Sequence, residues 1–404
     1  MGCSIKDLKG LEKWKVSKGV DFSSIFNGCS SLTDINSLKN WDVSNGENFS
    51  SIFMECKSLK DLKGLEKWNV SEGTNFSKLF KGDVSLSDIN SLYNWNVSKG
   101  TNFSNLFDGC ISLSDTNALK NWNIINANDC SYMFNGCSSL LNTDGLQNLK
   151  VYSYGNFSYM FSGCISLKDI KSLKNWDVSK AYNFSFMFNQ CSSLSDINAL
   201  ENWNVIYGNY FSNMFDGCIS LSDIKSLEKW KFSYAYNFSN MFKGCINLIN
   251  IFPLQNWDVH NVSNFSFMFS GCRTIKTLSP LGKWNVSKGE YFSHMFEGCS
   301  SLSNIRGIEK FNVSIGYDFS YMFNGCFSLS DVTGLEKWNV IKGYNFSYMF
   351  NGCSSLSNIE SLYNWKISKE KKIERMFFES GITMDSKLMK KWKLSDKDFC
   401  KLTK

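Results

Sequence analysis

The stretch Leu32–Ser58, LTDINSLKNWDVSNGENFSSIFMECKS, is one turn of a pattern that runs along the whole chain. Its clearest marker is Trp41. Trp14, Trp41, Trp68, Trp95 and Trp122 follow one another every 27 residues, then Trp176, Trp203, Trp230, Trp257 and Trp284, then Trp338, Trp365 and Trp392. The two skipped positions hold Leu149 and Phe311, still apolar and still in register. A fixed period of this size marks a stacked array, in which each repeat is one supersecondary unit resting on its neighbours.

Other columns keep the same time. Phe occupies one of them in all 14 repeats from Phe26 to Phe377, always preceded by Ile, Leu or Met. Further apolar columns begin at Leu32, Ile35, Leu38, Val43 and Phe49. One repeat alone would leave most of this surface wet, whereas stacking buries it continuously. The spacing predicts one or two short extended segments per rung, pairing in parallel with the next rung. It also predicts one helical turn at NFSSIF, capped by Asn48 or Ser50 and ended by the Gly28, Gly82 and Gly109 column. Stacked at about 4.8 Å per strand, 14 rungs make a rod roughly 70 Å long.

The pattern predicts a single solenoid over residues 1–365 with a partial first rung, 1–13, and a degenerate last repeat over 366–404. The chain carries a formal charge of +6. That excess lies in Lys366–Lys404, where 12 Lys and Arg face 6 acidic residues. A basic end suits an anionic surface, but terminal repeats also need a polar outer face, and this segment reads as such a cap. Thr383 and Ser386 replace apolar column residues there. No nucleic-acid partner is expected. No apolar run approaches the length of a membrane span, and MGCSIKDLKG lacks the apolar stretch of a signal peptide. Gly2 and Cys3 resemble an acylation site, but Lys6 stands where Ser or Thr is needed, so MGC reads as a remnant of the repeat's own GCS.

Twelve of the 15 cysteines fill one column, from Cys29 to Cys353, broken only by Asp83. Stacked equivalents point the same way and stay too far apart at Cβ for a disulfide, so free buried thiols are expected. Cys130 replaces a column Phe and reads as core. The Asp34, Asp61 and Asp88 column tolerates Asn142, Asn250, Asn304 and Thr277, which suits a hydrogen-bonding turn residue better than a calcium ligand. Thirteen N-x-S/T sequons arise from the NFS and NVS columns. The two histidines, His260 and His294, fall in different columns and read as solvated. No catalytic constellation, metal site or cofactor motif stands out, and no enzyme activity is expected.

What varies between beats is more informative. The position between the NFS serine and the Met reads Ser24, Ser51, Lys78 and Asn105, then Tyr132, Tyr159 and Phe186, and later Phe267, Tyr321 and Tyr348. A few residues earlier lie Tyr154, Tyr182, Tyr207, Tyr234, Tyr236, Tyr317 and Tyr344. Aromatic residues held at the surface of a rigid scaffold are what binding sites use. The candidate face is therefore Tyr132, Tyr159, Phe186, Tyr207, Tyr234, Tyr236, Phe267, Tyr317, Tyr321, Tyr344 and Tyr348, with the first column expected to face water.

The core WDVSKAYNFSFMFNQCSSLSDI, Trp176–Ile197, resembles the W-D-V-S…M-F-x-x-C-x-S-L repeat of BspA-type leucine-rich-repeat surface proteins. Those repeats are a few residues shorter, and their V-T-x-M is N-F-S here. The resemblance implies a right-handed, leucine-rich-repeat-like α/β solenoid of about 14 rungs. It also implies an adhesin-like protein that binds a protein or glycan without catalysis; the array itself is expected to be a monomeric rod. It supplies no binding motif to carry over. The other reading is an intracellular interaction scaffold, viral or protozoan. Location stays open between the cell surface, implied by the resemblance, and the cytoplasm, expected from an N-terminus without a signal.

Overall fold

The computed structural model describes residues 4–147, 155–367, 370–382 and 386–403. Gly2, Cys3, Leu149, Tyr154 and Thr383 lie outside them. Contacts divide the chain into two compact units, Met1–Tyr207 and Gly208–Lys404. Each is a leucine-rich-repeat-like solenoid with the expected 27-residue rung.

In the first unit the rung Leu32–Ser58 shows how the sequence makes the turn. Leu32, Ile35 and Leu38 recur at three, the period of a 3-10 helix, which stacks i and i+3 on one side. A 3-10 turn spans Asn36–Asn40, with Leu38 inside it and Ile35 just ahead of it, and is entered through Asp34, whose Oδ1 accepts Asn36 N–H at 2.8 Å. This corrects the expected extended segment: a three-residue apolar spacing over so short a run serves the tighter helix. The chain then extends at Trp41, and Trp41 Nε1 donates to Leu11 O of the previous rung at 2.9 Å. Extended pairing shrinks to single parallel bridges such as Asn48 with Asn75, and among the described residues no longer strand forms.

The NFSSIF segment also departs from the prediction. It is a run of turns whose alternate amides cross to the next rung. Phe49 N donates to Asn75 O at 2.8 Å, Ser51 N to Ser77 O at 2.9 Å and Phe53 N to Leu79 O at 3.0 Å. Asn48 Oδ1 accepts Ser50 N at 3.1 Å, so Asn48 closes a local turn instead of capping a helix. The mark of this geometry is Ser51, with φ +57. A left-handed residue there prevents a continuous helix, and the amides of Ser51 and Phe53 on either side of Ile52 point to the neighbouring rung. The glycine column does take the left-handed conformation predicted for it, as at Gly28, φ +75. The Asp column also acts as turn residues, as Asp88 Oδ1 shows by accepting Asn90 N at 2.9 Å.

Inside the first unit, the Trp41 and Trp68 rings stack at 6.3 Å and the Phe53 and Phe80 rings at 5.8 Å. Full burial of each Phe contributes about 2–3 kcal/mol. The Cys column lines the same interior, and its thiols bond across rungs, as Cys110 Sγ does in donating to Phe80 O at 3.1 Å. The described cysteines carry free thiols, all buried except Cys400. Cys130 is core, as expected.

The second unit repeats this architecture. Phe267 N donates to Ser293 O at 2.9 Å, and Trp284 Nε1 to Leu254 O at 2.8 Å. Its last repeat meets two short helices, α1 (Ser386–Trp392) and α2 (Asp396–Thr403). Trp392 keeps the indole bond of its column, to Leu362 O at 3.1 Å. Lys401 O and Leu402 O accept the amides of Arg375 at 2.6 Å and Phe377 at 3.0 Å, where a further rung's carbonyls would otherwise stand. No helix among the described residues is long and apolar enough to cross a membrane.

Candidate binding face

The column beginning at Ser24 is left-handed throughout. Seven residues in the first unit, Ser24 to Phe186, and seven in the second, Asn213 to Arg375, have φ between +53 and +61. A side chain other than Gly or Asn in this conformation costs on the order of 1 kcal/mol. Glycine would relieve that cost, yet no repeat uses it. The side chains are retained against a steady conformational penalty.

In the first unit this column brings three predicted residues together. Tyr132 and Tyr159 stack at 4.4 Å, and Tyr159 and Phe186 at 4.2 Å. In the second unit the stack is longer. Phe267 lies 4.0 Å from His294, His294 4.4 Å from Tyr321, and Tyr321 4.5 Å from Tyr348. A cation closes each end: Lys243 Nζ sits 5.1 Å over Phe267 and the Arg375 guanidinium 5.9 Å over Tyr348. The prediction that this column faces water needs correction. Each ring covers the face of the next, so the rings are half-buried and present mainly their edges. Burial, and then the neighbouring Tyr132, push the Tyr159 phenol above its ordinary pKa.

His294 corrects a second expectation. It is no solvated surface residue but a half-buried member of the stack. Its Nδ1 lies 2.8 Å from Glu297 Oε2, while Asn324 Nδ2 donates to Glu297 Oε1 at 2.8 Å. Burial raises the Glu297 carboxyl, but these hydrogen bonds outweigh it and leave the group below the usual glutamate range. Asn351 Nδ2 continues the polar seam to Asn324 Oδ1 at 2.6 Å. His260 is only partly exposed as well, with Nδ1 2.7 Å from Asp258 Oδ1.

The second set of predicted tyrosines is more open. Tyr207 in the first unit is 52% exposed, and Tyr234 and Tyr317 in the second are 54% and 48% exposed. Tyr317 and Tyr344 stack at 5.4 Å, four residues ahead of Tyr321 and Tyr348 in the same rungs. Tyr236 meets Tyr210 edge-on at 5.0 Å. Tyr210 and Tyr291 were missed by sequence reasoning: each replaces the Asn of NFS, and both rings are exposed. The substitution was visible, but its exposure depends on the single-residue bridge that forms there. Lys372 Nζ lies 5.5 Å over Tyr344.

The family described as "Mycoplasma protein of unknown function, DUF285" matches residues 3–80, 60–170, 112–223, 141–246, 209–328 and 292–399. No curated protein sequence matches the chain. Among solved structures, it is similar to a leucine-rich repeat protein from Bacteroides ovatus, at 16% identity and TM-score 0.39 over 89% of this chain and 80% of that one. A leucine rich cell surface protein from Faecalibacterium prausnitzii gives 15% and 0.32 over 71% and 75%. A leucine-rich repeat protein from Eubacterium ventriosum gives 12% and 0.34 over 83% and 86%. Matched in six overlapping segments from residue 3 to residue 399, the chain belongs to the DUF285 family.

Proposed function

We propose that this is a non-enzymatic binding protein of the BspA-like surface type, engaging a protein or glycan through its exposed tyrosines. One observation carries the reading. A left-handed column keeps full side chains where glycine would be easier, and exposed Tyr317 and Tyr344 lie four residues away on the same backbone. The hydrogen-bonded rungs hold these rings before any partner arrives, which lowers the ordering cost of binding. Repeated weak contacts along such a face add by avidity. Of the candidate residues, Tyr207 is the contact residue in the first unit, where Tyr132, Tyr159 and Phe186 form the stiffening stack; in the second unit Tyr234, Tyr236, Tyr317 and Tyr344 are the contact set, and the stacked Phe267, Tyr321 and Tyr348 stiffen it. Residues 366–404 act as the polar cap, supported by the α2 carbonyls that accept Arg375 and Phe377.

The test is binding of the full chain to panels of purified extracellular-matrix proteins and immobilised glycans. Replacing Tyr234, Tyr317 and Tyr344 with Ser should weaken binding about 10-fold or more with the melting temperature unchanged. Undiminished binding would remove these rings from the contact set. The buried free thiols favour the second reading, a scaffold inside a reducing cell. Cell fractionation separates the two.

A further inference from the structure

We propose that a groove beside Tyr93, in the first unit, is a subsite for an uncharged saccharide. This groove is separate from the tyrosine face and does not rest on the function proposed for it. Its volume is about 260 Å³, with the Tyr93 ring and the side chains of Asn94, Asn96, Asn121 and Asn123 around Trp95. The asparagines are two stacked pairs from adjacent rungs, 94 with 121 and 96 with 123.

Three features fix the ligand class. Tyr93 is 45% exposed, and in this column the other repeats carry Lys, Glu, Gln or Gly, except for Tyr363. An exposed phenol ring suits the apolar face of a pyranose. Second, the amides are available. Asn94 and Asn121 make no side-chain hydrogen bond among the described residues. Asn96 and Asn123 use only Oδ1, accepting Ser98 N and Ile125 N at 3.2 Å each, which leaves both Nδ2 groups to donate. Amides that donate and accept side by side match hydroxyl groups, which do the same. Third, no charged side chain lines the groove.

The second unit supplies a comparison at the same register. Around Tyr363 lies a groove of about 470 Å³ in which Asn364 keeps its amide, but Lys366, Lys391 and Lys393 stand where Tyr93 has Asn96, Asn121 and Asn123. Three cations in place of three amides make that groove unsuited to a neutral sugar.

The test titrates the full-length protein with cellohexaose, laminarihexaose, mannohexaose and chitohexaose, followed by saturation-transfer NMR and calorimetry. At least one should bind with a Kd in the millimolar range or below. Tyr93→Ala should weaken it about 10-fold, Tyr93→Phe should retain it, and Asn121→Ala should weaken it about 3-fold. Tyr363→Ala and the Tyr317→Ser, Tyr344→Ser double variant should bind like the parent, which separates this site from the tyrosine face. Failure of all four sugars at about 10 mM, or unchanged binding by Tyr93→Ala, would overturn the proposal.

Discussion

Two columns lie only two residues apart in every rung, and they obey opposite rules. The inner one, at Phe26, Phe53 and their successors, is Phe in all 14 repeats. The outer one, at Ser24, Ser51 and their successors, uses Ser, Lys, Asn, Tyr, Phe, His and Arg on the same left-handed backbone. Both donate an amide to the next rung in the same way, so backbone geometry cannot explain the contrast. Burial does. A Phe with no exposed surface touches neighbours on all sides, and any change leaves a hole. An outer ring at half burial loses one or two stacking partners and regains water.

Truncating both columns in one rung separates their roles most widely. Phe134→Ala should lower stability by about 3–5 kcal/mol, and Tyr132→Ala, two residues earlier, by about 1 kcal/mol. Equal losses in chemical denaturation would mean that the outer stack is core after all.

An intermediate effect belongs to Asp83, the one break in the Cys column. Its Oδ1 accepts Cys56 N at 2.8 Å, while Oδ2 is buried without a partner. Burial pushes its pKa well above the ordinary aspartate range, so the folded protein holds this proton to a higher pH than the unfolded chain does. The unfolded chain releases that proton above about pH 4. The folded state therefore binds more protons there, and stability falls as pH rises from about 4 toward neutrality. Asp83→Cys should restore the column, add about 1–3 kcal/mol at pH 7 and flatten this slope. A variant with the parent's pH dependence would show that Asp83 is ionised in place.

The smallest effect tests the left-handed backbone itself. At Tyr159, substitution by Gly should leave the protein about 1 kcal/mol more stable than substitution by Ala, the reverse of the order inside a helix. Thermal melts of the two variants decide it. The order Ala above Gly would mean that φ there is not positive.

Much of the fold was legible because apolar columns and turn residues report burial and hydrogen bonding directly. The Trp and Phe columns, the buried thiols, the Asp34 type of turn and the left-handed glycines all followed from residue type and period. The local conformations were harder. Leu32, Ile35 and Leu38 fit a 3-10 turn, but a short three-residue spacing also fits an irregular extended chain. The left-handed conformation of Ser51 was hidden because no glycine marks it; the cross-rung amide bonds impose it. For the same reason His294 looked like a lone surface residue, since its stacking partners are 27 residues away on either side. On the candidate face, the identities of the tyrosines were readable. Which rings were covered and which were open was not, because that depends on the spacing between rungs.

The cross-rung amide ladder has a mechanical consequence. Each rung is bonded only to the rung before and the rung after it, so a pulling force applied along the chain loads one seam at a time. Within either unit, peeling a rung would release 27 residues, a contour length of about 90 Å. The force trace should show a sawtooth with that spacing, and a segment so built absorbs repeated tugs by yielding and resealing single rungs.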